Sequence, residues 1–85
     1  MTADLPLMTP PMKRSVTIDG HRTSVSLEDP FWSALGQAAR ARHVTRAVLI
    51  GKIDHARPPE VGLATAIRLF VLADLQKAAR SGQIG

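Results

Sequence analysis

The sequence predicts a small, mainly α domain that opens with a short β hairpin. Three observations predict it. The pair Asp19-Gly20 separates two runs that alternate apolar and polar residues. Asp29-Pro30 marks a helix start directly after the second run. From there to about Arg80 the apolar residues recur at helical spacing, broken at His43-Val44 and again at Pro58-Pro59.

The hairpin comes first along the chain. A two-residue type I′ turn requires positive φ at both positions, and Asp-Gly tolerates this well. Such a turn sets Ile18 opposite His21, Thr17 opposite Arg22 and Val16 opposite Thr23. Val16, Ile18, Val25 and Leu27 then share an apolar face, and Ser15, Thr17, Arg22, Ser24 and Ser26 share a polar one. A slip of one residue would mix the two faces. Residues 1–12, with Pro6, Pro10 and Pro11 and no periodicity, read as a flexible arm.

Asp29 is expected to cap the first helix, with Pro30 at its first position, where a missing N–H costs nothing. That helix is predicted over Pro30 to Arg42, with Phe31, Leu35, Ala38, Ala39 and Arg42 on one stripe and Trp32 beside it. Thr45 is the expected cap of a second helix, Arg46 to Ala56, which buries Leu49, Ile50 and Ile53. A third helix is predicted over Leu63 to Arg80, stopped by Ser81-Gly82, with residues 81–85 as a tail. Its middle is apolar nearly all round: Ala66, Ile67, Leu69, Phe70, Val71, Leu72, Ala73 and Leu75. Such a helix is expected to be buried on several sides, more than two thin helices of one chain can cover, and a second copy of the chain would supply the rest.

Composition sets the bounds. With 85 residues the chain is one domain, read as 13–80, and its core is small. It has no cysteine, so no disulfide reinforces that core, and a reducing cytoplasm suits it. Met1-Thr2-Ala3-Asp4 offers no basic n-region, and the most apolar run, Ala66–Leu75, is interrupted by Arg68, so neither a secretory signal nor a membrane span is expected. The net charge of +4 is carried between Lys13 and Arg57, while the charges outside that segment balance. A basic segment of this kind points to an anionic partner, nucleic acid above all.

A strand, an acidic helix start, a helix, a tight turn and a second helix beginning at Thr45 together resemble the ribbon-helix-helix family of bacterial and phage DNA-binding proteins. The strings RTSVSLEDPFWSAL and IRLFVL are similar to a small bacterial branch of it. The general likeness covers Arg22 to Arg57, and the branch-level likeness runs from Lys13 to near Leu75. The resemblance implies an intertwined homodimer in which the strand of each chain pairs antiparallel with its copy, and the ribbon enters the DNA major groove. It implies base contacts from Arg22, Ser24 and Ser26. Phosphate contacts are expected from Thr45, Arg46 and Ala47 at the start of the second helix, and from Lys13 and Arg14. The expected dimer core is Val25, Leu27, Phe31, Leu35, Leu49, Ile53, Ile67 and Phe70. The first strand and the third helix go beyond the minimal pattern. Four strands roughly 4.8 Å apart exceed a groove about 12 Å wide. The first strand could therefore peel away, or the sheet could meet DNA by its edge or not at all.

Other chemistry finds little support. His21, His43 and His55 are too scattered for a metal site. Gly51-Lys52 lacks the earlier glycine of a phosphate loop. Trp32, beside Phe31 and Leu35, reads as core or dimer interface rather than a base-stacking residue. Ser15, Ser24, Ser26, Ser33 and Ser81 have no base to activate them, so no enzyme and no cofactor are expected. The expected function is that of a homodimeric, cytoplasmic transcriptional regulator binding double-stranded DNA. The alternatives are an antitoxin-like component with a partner protein, and a protein-interaction module that keeps the fold without DNA binding.

Overall fold

The computed structural model describes residues 4–82, so residues 1–3 of the expected arm and 83–85 of the expected tail lie outside the described residues. The elements run β1 (Met12–Ile18), β2 (His21–Leu27), α1 (Asp29–Ala41), α2 (Arg46–Ala56) and α3 (Leu63–Gly82). The antiparallel hairpin lies over the helices, β1 against α2 and β2 against α3, while α3 packs on both α1 and α2.

Asp19 and Gly20 both have positive φ, 52° and 78°, as a type I′ turn requires. The register follows from the turn: Ile18 faces His21, Thr17 faces Arg22 and Val16 faces Thr23. Val16, Val25 and Leu27 are buried against the helices, and Ile18 packs beside them. The core closes around Leu27, Leu35, Ile50 and Ile67, each with no exposed surface. Full burial of each such side chain stabilises the fold by about 1.5–3 kcal/mol.

The start of α1 differs from expectation. The cap is Glu28, in extended conformation, and no side chain caps the helix; Asp29 is already helical and Pro30 follows it. Long-range partners decide this. The Glu28 carboxylate accepts from Arg68 Nε at 2.9 Å and Nη2 at 3.1 Å, and Asp29 accepts from Arg14. At the other end His43 adopts φ 59°. The His43 N–H donates to Arg40 O and the Val44 N–H to Ala39 O, a Schellman ending that turns the chain sharply into α2. Thr45 caps α2 as expected, its Oγ1 accepting from the Val48 N–H at 3.1 Å.

Within the single chain, α3 buries only one side. Ile67 and Val71 are enclosed, whereas Leu69, Leu72 and Leu75 keep 58%, 50% and 51% of their surface exposed. One chain does not cover this helix, as expected: two helices and a hairpin enclose only the stripe that faces them. The helix also runs through Ser81 to Gly82, past the expected stop.

Candidate nucleic-acid interface

Alternation along two paired strands builds the candidate surface. The apolar residues turn toward the helices, so the outward side chains of β2 are Arg22, Ser24 and Ser26, all exposed. Lys13 of β1 stands opposite Ser26 and is exposed as well. The outward side chains are hydroxyls and cations, with no carboxylate among them.

Several other charges are paired within the fold. Arg42 pairs with Asp74 at 2.7 Å, Arg57 with Asp54 at 2.7 Å and Arg68 with Glu28 at 2.9 Å. The Arg68 guanidinium, donating to both Glu28 oxygens, lowers the pKa of that carboxyl. At the hairpin tip, His55 Nε2 lies 2.7 Å from Asp19 Oδ2 and ties the turn to α2. Lys13, Arg22, Arg40, Arg46 and Lys52 form no ion pair among the described residues. Lys77 and Arg80 of α3 form none either, so the positive charge left for an external anion lies on the hairpin, the end of α1, α2 and the C-terminal part of α3.

Lys13 and Arg14, taken together in the sequence as phosphate ligands, part company. Arg14 has the parity of Val16, so it points inward. It donates to Leu27 O at 3.2 Å, pairs with Asp29, and stacks 5.2 Å from the centre of the Trp32 ring, with 16% of its side chain exposed. Its charge organises the β2–α1 junction.

The start of α2 carries Thr45, exposed, with Arg46 and Ala47 half-buried. The first N–H groups of a helix have no partner within it, and its dipole favours an anion there. Arg46 is held in place by α1. Its Nε donates to Trp32 O at 3.1 Å and its guanidinium lies 4.8 Å from the Trp32 ring centre. Gly36 makes the room: a Cβ there would stand 2.2 Å from Arg46 Nη2. This seat was missed in the sequence, although Trp32 and Gly36, four residues apart, share a helix face. A cleft beside it is lined by Arg40, His43, Thr45 and Arg46, without an acidic residue.

Of the residues expected in a dimer core, Val25, Leu27, Leu35, Leu49, Ile53 and Ile67 are buried within one chain. Phe31 and Phe70 are half-buried, with the guanidinium groups of Arg68 and Arg42 at 5.9 and 5.1 Å from their ring centres. Apolar surface is left uncovered in a groove between α1 and α3 lined by Pro30, Phe31, Ala34, Leu69, Leu72 and Leu75, and Leu5, Leu7, Met8, Met12 and Val48 are exposed elsewhere. Among the described residues β2 pairs only with β1, so its other edge is open. No helix there is long and apolar enough to cross a membrane.

Comparison with protein families matches residues 11–75 to the ribbon-helix-helix domain. Comparison with curated proteins and with solved structures finds no match.

Proposed function

The chain belongs to the ribbon-helix-helix domain family, whose members typically dimerise and bind DNA, and from that premise we propose that it is a cytoplasmic, homodimeric DNA-binding protein that regulates transcription. The observation that carries this reading is the outer face of the hairpin, exposed, free of carboxylates and bearing Arg22, Ser24 and Ser26. Arg22 can bridge guanine acceptors, and the serine hydroxyls can donate or accept at several base edges. Thr45, Arg46 and Ala47 supply N–H groups and charge for a phosphate, and Lys13 adds a second cation at the hairpin. Arg14 contributes by fixing the junction rather than by touching DNA. A second copy has two surfaces to meet: the open edge of β2 and the apolar α1/α3 groove.

Titration of labelled duplex at several salt concentrations tests the reading. If Lys13 and Arg46 of each copy neutralise phosphates, log affinity falls with log salt at a slope of about −4. Arg22→Ala is expected to cost about 1–3 kcal/mol on a selected site with little change in stability. Val25→Ala is expected to do the reverse, lowering stability by opening a cavity and affinity only as a consequence. Absence of binding at low salt would refute the DNA-binding reading and favour an interaction module.

A further inference from the structure

We propose that β1 is a strap: it flanks the DNA-reading strand in the free protein and leaves β2 when the ribbon enters the groove. This rests on the homodimeric DNA-binding reading above and adds a closed state to it. β1 pairs with β2 along its whole length, from Met12 opposite Leu27 to Ile18 opposite His21. It occupies one edge of β2, and the other is open among the described residues. When two copies join through that open edge, the sheet runs β1, β2, then β2 and β1 of the second copy. Its outermost backbones stand about 14 Å apart, more than a groove about 12 Å wide admits. The two central strands alone, about 4.8 Å apart, fit. Arg22, Ser24 and Ser26 all belong to β2 and so lie at the centre of that sheet. Entry by an edge would present β1 and leave them outside the groove. Release of β1 brings them to base edges.

The way β1 is held suits a strap. Val16 is its one buried side chain; Arg14 and Ile18 are half-buried, and Met12, Lys13, Ser15 and Thr17 are exposed. The side chains fully enclosed in the core, Leu27, Leu35, Ile50, Ile67 and Val71, all come from β2 and the helices. Most of the core therefore closes without β1. Its far end is held by Arg14, which donates to Leu27 O and pairs with Asp29. Asp29 is itself 59% exposed, so water readily replaces that pair. The near end is a pivot: the Asp19-Gly20 turn is tied to α2 by His55, so the tip stays in place as β1 swings. The outer edge of β1 pairs with no strand among the described residues, and residues 6–11 ahead of it lie in no helix or strand. The backbone groups of β2 that β1 frees face water at the edge of the ribbon. While β1 is in place the protein is closed, and the closed fraction lowers apparent affinity for DNA.

The test locks the strap in the full chain. Lys13 and Ser26 stand opposite each other at the open end of the hairpin, both exposed, and the chain has no cysteine of its own. From the turn outward, hydrogen-bonded and non-hydrogen-bonded pairs alternate, and this pair is of the second, closer kind, within reach of a disulfide. The Lys13→Cys/Ser26→Cys variant is measured oxidised and reduced, on a duplex selected with the wild type from a randomised library. Both forms lack the same two side chains, so their difference reports the lock alone. The oxidised form is expected to match or exceed the reduced form in Tm, yet to bind at least about tenfold more weakly. Equal affinity of the two forms, both folded, would overturn the proposal. Amide exchange of the wild type is a second measurement that needs no variant. On the selected duplex, the β1 amides bonded to β2 should exchange faster than in the free protein, while those of Leu35 and Ile50 stay protected. Undiminished protection of β1 in the complex would overturn the proposal and leave DNA binding standing. Wild-type protein that binds no duplex would overturn the underlying reading.

Discussion

Gly36→Ala should disturb the protein through Arg46 rather than through its own helix. In an α-helix interior this exchange ordinarily stabilises by about 0.5–1 kcal/mol. Here the new methyl would stand 2.2, 2.5 and 2.9 Å from Arg46 Nη2, Cζ and Nε. The obstacle is the end of a flexible side chain, so the guanidinium moves and the backbone stays. What is lost is the bond from Arg46 Nε to Trp32 O at 3.1 Å and the stacking at 4.8 Å. A half-buried, charge-assisted hydrogen bond and a cation–π contact are together worth about 1–2 kcal/mol. Gly36→Ala alone is therefore expected to be neutral to about 1 kcal/mol destabilising. In an Arg46→Ala background the obstacle is gone, and the same exchange should stabilise by about 0.5–1 kcal/mol. Urea or thermal unfolding of the four proteins in the cycle measures the coupling, expected at about 1–2 kcal/mol, or roughly 4–15 °C in Tm at this size. Additivity within about 0.5 kcal/mol would refute the seat. Affinity for DNA should fall in the Gly36→Ala variant as well, because the displaced Arg46 no longer stands beside the α2 N-terminus.

Sedimentation of the wild type is expected to give a dimer, and Leu72→Asp in the α1/α3 groove a folded monomer; a monomeric wild type would refute homodimerisation. His43→Gly is expected to raise stability by about 0.5–1 kcal/mol, since His43 holds φ 59° at the end of α1, where glycine has no Cβ to strain; an unchanged or lower Tm would contradict this. The Glu28 carboxyl titrates below its ordinary value of 4.5 because Arg68 donates to it, so in that range the unfolded chain binds more protons than the folded one. The stability this pair contributes is present above pH 4.5 and is lost as pH falls through the lowered folded pKa, and Glu28→Gln should remove that part of the acid dependence, as followed by unfolding at stepped pH.

Features that depend on near neighbours were legible in the sequence. Asp19-Gly20 specifies a turn that in turn fixes every pair in the hairpin, and a side-chain period of two then settles that Arg22, Ser24 and Ser26 face away from Val25 and Leu27. Thr45 is legible as a cap because its bond reaches only to Val48. Tertiary structure decided what depends on distant partners. The cap of α1 passed from Asp29 to Glu28 because Arg14 and Arg68, remote in sequence, drew the two carboxylates into ion pairs. Arg14 was readable as a basic residue near the arm, yet its strand parity put it against Trp32 and Asp29, where a cation serves packing rather than a ligand. Arg46 needed the space over Gly36, which exists only once α1 and α2 cross. In α3 the pattern is apolar on every side and so carries no direction. Only packing against α1 and α2 selected Ile67 and Val71 for the core and left Leu69, Leu72 and Leu75 outside it, because burial is set by which surfaces meet and not by hydrophobicity alone.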